Sequence, residues 1–328
     1  MVDIILSTYN GKYYLVQQIE SILNQTYKKW QLLIRDDGSS EETMEIISKY
    51  VDNFPEKIYL IPDEGNHLGS CLSYLELIKH TTSGYIMFCD QDDIWLPNKI
   101  KLMLKKMKDM EEIYKNEPIL IHTDLKVVDE ELNLISDSFW KYQRLNPNVK
   151  DLNKILVQNN VTGCTIMINQ KFRELLNVIP TNAIMHDWWL NLIASAFGVI
   201  GYVKDSTVLY RQHEKNEVGA KKYSLSFILS LIFKLKKLLS SIEKIINQGK
   251  DFYSIYGNML TKGQKEVVYN FITLLEVGRF RRIYRIFKYK FFKYGFLRNL
   301  GFIIVMLIPS KRKGAYDEDF GNNSNFKL

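Results

Sequence analysis

Apolar and polar positions alternate in blocks along the first ninety residues. Short apolar runs typical of buried strands are separated by longer segments in which apolar residues recur at helical spacing. The predicted strands are DIILS (3–7), WQLLIR (30–35), KIYLI (57–61) and YIMFC (85–89). Such alternation predicts βαβ units and a Rossmann-like α/β fold with a mostly parallel central sheet.

Three helices are predicted between these strands, at residues 13–25, 39–51 and 71–80. The second begins with Ser39 and Glu42 at the spacing of a capping box. Beyond residue 117, PILIHTDLKVVD (118–129), GCTIMIN (163–169) and GYVKDSTVLYRQH (201–213) are predicted to be extended. AIMHDWWLNLIAS (183–195) is predicted to be a helix with His186 and Asp187 in its first turn.

The pattern after Lys222 predicts helices only. We therefore predict a catalytic α/β domain at 1–222, a basic all-helical appendage at 223–310 and a disordered tail at 311–328. Residues 223–313 contain 18 Lys and Arg against 4 Asp and Glu, whereas residues 1–222 contain 25 against 30. This asymmetry predicts an anionic partner for the helical segment.

Polar clusters follow three of the predicted strands, at residues 7–11, 36–39 and 90–93. Any one of them is also compatible with an ordinary turn or helix cap. In parallel sheets, however, ligands bind beyond the carboxyl ends of the strands. Three clusters at successive strand ends therefore predict a ligand site.

The cluster Asp90-Gln91-Asp92-Asp93 places three carboxylates within four residues. They repel one another, and burying them is costly unless a cation compensates. An Asp-x-Asp pattern suits a hard divalent ion that bridges phosphate oxygens. The chain lacks the GxxxxGK[ST] loop of the P-loop nucleotidases, which disfavours that class.

Composition limits the compartment. With 46% hydrophobic and 25% charged residues, the chain of 328 residues is predicted to be globular. Cys71, Cys89 and Cys164 are odd in number and widely spaced, which favours a reducing compartment over disulfides or structural zinc. No signal peptide or membrane span is recognised. We expect a cytoplasmic protein, peripheral at the inner face of a membrane if the basic helices bind anionic lipid.

Five motifs occur in order along the chain. They are STYNG (7–11), RDDGSS (35–40), DQDDIWLPNK (90–99), HDWW (186–189) and YRQHEKNEVG (210–219). Together they resemble the inverting glycosyltransferases of family 2, which have the A-type nucleotide-sugar fold. The branch they resemble is the bacterial rhamnosyltransferase-like one, which builds surface glycans.

The resemblance implies roles for individual residues. Asp187 would be the general base, and Asp92 and His213 would hold Mn²⁺ or Mg²⁺ against the diphosphate. Trp188 and Trp189 would contact the acceptor sugar. The donor would be bound by Thr8, Tyr9, Asp36, Asp37, Gly69, Asp90, Gln91 and Asn216.

Ordinary structural roles are the alternatives. Asp187 also fits a helix cap, His213 a surface histidine, and Trp95 a packed core residue. Two positions depart from the family pattern. Ser73 stands where Asn is usual, and His186 replaces one acid of a pair, which leaves Asp187 as the single candidate base.

The predicted function is transfer of a sugar from a nucleotide-diphosphate donor to a growing protein- or lipid-linked glycan. The donor implied is dTDP-rhamnose, with UDP-glucose, UDP-galactose or UDP-N-acetylglucosamine as the alternative. A nucleotidyltransferase is disfavoured because STYNGKYYL is not a Gly-rich basic loop. A non-catalytic nucleotide or polyanion binder is a remote alternative. We expect no nucleic-acid partner, and oligomerisation is left open.

Overall fold

The computed structural model describes residues 1–62, 67–214, 216, 219 and 235–308. The predicted tail at 311–328 and the start of the helical segment at 223–234 lie outside the described residues.

Nine strands in the described part of the chain form one sheet. They are β1 (Val2–Thr8), β2 (Trp30–Asp36), β3 (Ile58–Leu60), β4 (Tyr85–Cys89), β5 (Ile94–Trp95), β6 (Ile119–Val128), β7 (Leu134–Ser136), β8 (Met167–Asn169) and β9 (Val199–Arg211). The strand order is β3-β2-β1-β4-β8-β6-β9-β5, and β7 pairs with β6.

The sheet is parallel in its first half and mixed in its second. β3, β2, β1 and β4 pair in parallel. β8 then lies antiparallel between β4 and β6, β9 is parallel to β6, and β5 is antiparallel to β9. The predicted α/β class is confirmed. Hydrophobic periodicity does not report strand direction, so the antiparallel pairings could not be read from it.

Twelve helices are described. They are α1 (Leu15–Leu23), α2 (Glu41–Asn53), α3 (Ser70–Lys79), α4 (Lys99–Ile113), α5 (Phe139–Gln143), α6 (Leu152–Ile155), α7 (Gln170–Arg173), α8 (His186–Phe197), α9 (Leu235–Tyr256), α10 (Lys262–Ile272), α11 (Arg279–Lys288) and α12 (Phe296–Leu307). Short 3₁₀ turns lie at Gly163–Thr165 and Leu274–Glu276. No described helix has the length and apolar character needed to cross a bilayer.

Two local predictions are corrected. The predicted capping box at Ser39 is wrong, because Ser40 is the N-cap of α2 and the Ser39 hydroxyl accepts from the Asn10 backbone N–H instead. Residues 163–165 form a 3₁₀ turn, so only the end of GCTIMIN is a strand. Residues 279–302, in which Arg and Lys are interspersed with aromatic residues, are divided between α11 and α12, and the turn between these helices ends at Gly295 with φ +99°.

Two apolar cores cover the two faces of the sheet. Alternate β1 residues divide between them, with Ile4 and Leu6 on one side and Ile5 on the other, as the two-residue period of a strand requires. The predicted packing role of Trp95 is confirmed, because its side chain is buried in the first core. The second core contains α8 residues together with residues of α9, α10 and α12. The described C-terminal helices therefore share a core with the α/β unit.

Buried His122 on β6 makes the fold sensitive to acid. Its ring lies among Trp140 and Tyr202, and neither ring nitrogen has a hydrogen-bond partner in the described structure. Burial, with a smaller contribution from Lys150, lowers the pKa of His122 to about 3. Because the unfolded state binds the proton first, this stability is present above about pH 6.5 and is lost as the pH falls towards 3.

We expect His122→Phe to flatten the acid side of the stability curve. Between pH 7.5 and pH 5 the native protein should lose about 2 kcal/mol more unfolding free energy than this variant. Urea unfolding at several pH values measures the difference. His80→Gln, which alters an exposed histidine, is the control, and an unchanged pH slope in His122→Phe would contradict the prediction.

Candidate active site

The loops after β1 and β4 are joined by Gln91. Its Oε1 accepts from Thr8 Oγ1 at 2.7 Å and from the Tyr9 N–H at 3.0 Å, while its Nε2 donates to the Tyr9 carbonyl at 3.1 Å. A Cβ at Gly11 would lie too close to Gln91 Oε1, so a side chain there would displace the Gln91 amide from these hydrogen bonds. Gln91 therefore fixes the position of the Tyr9 loop, and Thr8 is buried beneath it.

The two aspartates after β2 have different surroundings. Asp36 Oδ2 accepts from the N–H groups of Gly38 and Ser39, so this carboxylate shapes the turn. Asp37 is buried and forms an ion pair with Arg35, with 2.5 Å between Asp37 Oδ1 and Arg35 Nη1. Its two oxygens accept from the Leu68 and Gly69 N–H groups, each at 2.8 Å. Asp37 thus holds the loop before α3 at the cavity.

Ser73, one of the two positions that depart from the family pattern, belongs to the same hydrogen-bonded group as Arg35 and Asp37. Its hydroxyl accepts from Ser7 Oγ at 2.6 Å and from Arg35 Nη1 at 2.8 Å. It is fully buried. The side chain therefore connects β1, β2 and α3 beneath the site.

Asp92 and His213 come together from distant parts of the chain. His213 Nε2 lies 2.8 Å from Asp92 Oδ2, and Asn216 Nδ2 lies 3.4 Å from the same oxygen. The imidazole stacks on Tyr14 with ring centroids 4.9 Å apart. Carboxylate oxygen and imidazole nitrogen are ligands that suit Mn²⁺. Their separation fits two ligands of one cation, so the predicted pairing has the donor set it needs.

The other carboxylates of this cluster have protein partners. Asp90 Oδ1 accepts from Tyr74 Oη at 2.8 Å. Asp93 is fully buried, and burial, followed by the charges of Asp92 and Asp90, raises the pKa of its carboxyl well above the usual range. Ligand atoms of Asp90, Asp93 and Cys164 lie within 4.8 Å of one another. Burial also raises the pKa of the Cys164 thiol, so Asp93 and Cys164 both favour their protonated forms, which makes this set the weaker cation site.

Lys99 is a buried cation that sequence reasoning missed as part of this arrangement. Its Nζ donates to the Cys164 carbonyl at 2.9 Å and lies 4.7 Å from the Trp95 ring centroid. Burial lowers the pKa of Lys99 to about 8. Its position in the first turn of α4 resembles any surface lysine in sequence, so the pattern contained no signal of burial.

Asp187 lies in the first turn of α8 and lines the cavity. Its Oδ1 accepts from the Trp188 N–H at 2.5 Å, and the helix N-terminus favours the charged carboxylate. The neighbouring His186 is buried against Tyr74 and Phe88, and burial lowers the pKa of His186 to about 3. His186 is therefore neutral, and Asp187 is the one acidic side chain of the pair.

The two tryptophans of the HDWW motif (186–189) lie in different surroundings. Trp188 lines the cavity, and its Nε1 donates to the Ile155 carbonyl at 2.7 Å. Trp189 is fully buried, with Phe252 and Tyr256 of α9 against its ring. The predicted acceptor contact of Trp189 is wrong, because an indole inside the core cannot stack on a sugar. The acceptor contact of Trp188 stays a prediction.

A cavity of about 910 Å³ brings most of these residues together. Of the predicted site residues, it is lined by Tyr9, Asp37, Gly69, Asp90, Gln91, Asp92, Asp187, Trp188 and Asn216. Thr8 and Asp36 do not line it, and His213 reaches it through Asp92. His67 adds an aromatic neighbour of Tyr9, with ring centroids 4.7 Å apart.

The far wall of the cavity was not predicted as part of a site. It is formed by the C-terminal helices and the turn between α11 and α12. These lining residues are Leu238, Ser241, Ile242, Ile245, Lys293, Leu297, Arg298, Gly301, Phe302 and Val305. Their apolar spacing in sequence is that of ordinary core helices, so only the tertiary contacts identify them.

An α/β sheet with Asp-x-Asp after its fourth strand and an acid across the cavity defines a sugar-transferring enzyme of the A-type fold. The family model described as "Glycosyl transferase family 2" matches residues 3–186. The chain belongs to glycosyl transferase family 2 and is a glycosyltransferase.

Curated relatives support the assignment. The "dTDP-rhamnosyl transferase RfbG" of Shigella flexneri is 26% identical over 84% of this chain and 94% of its own length. The "UDP-Glc:alpha-D-GlcNAc-diphosphoundecaprenol beta-1,3-glucosyltransferase WfgD" of Escherichia coli is 28% identical over 54% of this chain and 62% of its own. An uncharacterised glycosyltransferase of Rickettsia conorii, 28% identical, is matched over 68% of this chain but only 36% of its own length.

Two solved structures share the fold. Staphylococcus aureus TarS 1–349 in complex with UDP-GlcNAc has a TM-score of 0.52 and 14% identity, over 87% of this chain and 83% of the other. The mannosyltransferase PcManGT from Pyrobaculum calidifontis, in complex with GDP-Man and Mn²⁺, has a TM-score of 0.52 and 13% identity, over 86% and 72%. The A-type fold predicted from the motifs is confirmed.

Cation binding should separate the two possible ligand sets. We expect Asp92→Asn and His213→Asn each to weaken Mn²⁺ binding in the presence of dTDP by at least tenfold. Asp93→Asn should leave binding within about twofold, because burial raises the pKa of the native carboxyl and favours its neutral form. Electron paramagnetic resonance of free Mn²⁺ measures this. The reverse pattern would place the cation in the buried Asp90–Asp93–Cys164 set, and His80→Asn serves as a control.

Proposed function

We propose that the enzyme transfers a sugar, with inversion, from a nucleotide diphosphate to a hydroxyl of a growing glycan. The observation that carries this is one cavity lined by Asp187 and by the Asp90–Asp92 edge of the sheet. One charged carboxylate and one diphosphate-binding edge are what a single in-line displacement needs.

The side chains divide the chemistry between them. Asp187 accepts the proton of the acceptor hydroxyl while the oxygen of that hydroxyl attacks the anomeric carbon. The bond from that carbon to the diphosphate oxygen breaks on the opposite face, which inverts the configuration. Asn216 and His213 stand beside Asp92 to receive the diphosphate, and His186 beneath stays neutral, so it does not compete for the proton.

Asp92 and His213 would hold Mn²⁺ or Mg²⁺, with Asp90 beside them. When bound, such an ion neutralises the charge of the leaving diphosphate as a Lewis acid. The ordered pairing of Asp92 and His213 supports this assignment.

The donor proposed is dTDP-rhamnose. Its support is the relative named as a dTDP-rhamnosyl transferase, which is matched over 84% of this chain. The aromatic pair Tyr9 and His67 at the cavity suits stacking on a base. UDP-glucose is the alternative, supported by the name of the relative that is matched over 54%.

The acceptor proposed is a lipid-linked glycan. The wall formed by α9 and α12 is largely apolar, with Lys293 and Arg298 beside it. Apolar surface next to cations suits an acceptor with a lipid and a phosphate. We place the enzyme in the cytoplasm, peripheral at the inner face of a membrane.

Substitution of Asp187 by asparagine tests the base. We expect turnover to fall by about 10²–10⁴-fold, because the amide keeps the shape but accepts no proton. Donor affinity by calorimetry should change less than about threefold. Asp205→Asn, an exposed acid on β9, is the control. Normal turnover in Asp187→Asn, or lost donor binding, would remove Asp187 from this role.

A donor screen tests the sugar nucleotide. We expect nucleotide release in the presence of Mn²⁺ to be fastest with dTDP-rhamnose, and to stop in EDTA. Release that is fastest with UDP-glucose would favour the alternative, and no release from any nucleotide sugar would argue against a transferase donor site.

A further inference from the structure

The outward face of α11 is aromatic. Phe280, Tyr284 and Phe287 recur at i, i+4 and i+7, so they share one face of the helix. They are 76%, 62% and 57% exposed. A surface helix of a globular protein normally turns its apolar stripe to the core. Here Ile286 is buried in the core as usual, but α11 also turns an aromatic stripe to solvent. Exposed apolar patches mark interaction sites.

The inner face of α11 explains why the helix is held this way round. Arg282 is buried there. Its Nε donates to the Val277 carbonyl at 3.0 Å, Nη2 to the Leu275 carbonyl at 3.1 Å, and Nη1 to the Ile308 carbonyl at 3.2 Å. A buried guanidinium with these bonds cannot rotate outward without leaving the carbonyls unpaired. The exposed aromatic face is therefore a built feature.

The segment that contains α11 and α12 has charges of one sign. Residues 279–307 contain eight Lys and Arg and no Asp or Glu. Arg279, Arg281 and Lys290 are exposed. An aromatic face flanked by cations is the composition of a helix that lies in the interface of an anionic bilayer.

The neighbouring helix α12 joins this surface to the cavity. It packs against α11 and exposes Phe296 at 79% and Leu300 at 43%. Phe302 and Val305 of the same helix line the cavity. A bilayer under the exposed residues would therefore lie one helix away from the cavity.

We propose that α11 and α12 form a docking surface for an anionic lipid bilayer. Phe280, Tyr284 and Phe287 enter the headgroup region, and Arg279 and Arg281 pair with lipid phosphates. The purpose rests on the proposed function, because docking would present a lipid-linked acceptor to the cavity. The contact itself requires no donor and no turnover.

Vesicle sedimentation of the full chain tests the contact. We expect binding to vesicles of phosphatidylcholine with ~30% phosphatidylglycerol, which gives the vesicle a negative surface. Binding to phosphatidylcholine alone should be weak. Phe280→Ser with Phe287→Ser should lower the partition coefficient at least tenfold on anionic vesicles. Arg279→Gln with Arg281→Gln should lower it roughly 30-fold, through the loss of two interfacial cations.

Matched controls keep the test specific. Tyr59→Ser with Tyr114→Ser removes exposed aromatics elsewhere, and Lys101→Gln with Lys105→Gln removes exposed cations of α4; neither pair should alter partitioning. Donor binding by calorimetry reports on the proposed function separately. Undiminished vesicle binding in the aromatic pair, or no binding by the native chain, overturns the proposal. If the native chain is a dimer that binds no vesicles, and Phe280→Ser with Phe287→Ser dissociates this dimer, the face would be assigned to a second copy of the chain. That result would also overturn the proposal.

Discussion

The close approach of three carboxylates at the end of β4 is the constraint on which the site depends. Each is compensated differently. Asp93 is buried, which raises the pKa of its carboxyl, Asp90 accepts from Tyr74, and Asp92 meets His213 at 2.8 Å. Only the last pairing places a carboxylate beside a ligand nitrogen at the cavity. The burial of one acid thus decides which of its neighbours can meet a cation.

Two buried cations hold this arrangement in place. Arg211, at the end of β9, donates through Nε to the Asp92 carbonyl and through Nη2 to Gln17, and its guanidinium lies 4.6 Å from the Tyr14 ring centroid. This contact sets the position from which His213 reaches Asp92. Lys99 donates to the carbonyl of Cys164, whose thiol lies within 4.8 Å of ligand atoms of Asp90 and Asp93. Positive charge inside the fold therefore allows acidic residues to gather at its edge.

The C-terminal helices complete a site that the α/β unit begins. They share a core with α8, where Trp189 packs on Phe252, and they form the far wall of the cavity. A segment that packs this closely contributes both stability and shape to the catalytic cavity. The excess of basic residues there is used in two ways, since Arg282 is buried for structure whereas Arg279 and Arg281 are exposed.

The sequence by itself determined the α/β class and the strand-end clusters, because periodicity and local motifs report strand ends directly. Its resemblance to a known family selected Asp92 and Asp187 as site candidates. It did not determine strand direction in the second half of the sheet, the burial of Trp189 or the cavity wall from α9 and α12. Nor did it show that Asp37 holds the loop before α3. Those properties arise from contacts between residues far apart in the chain, and a local pattern of polar and apolar positions contains no information about which distant partner each side chain meets.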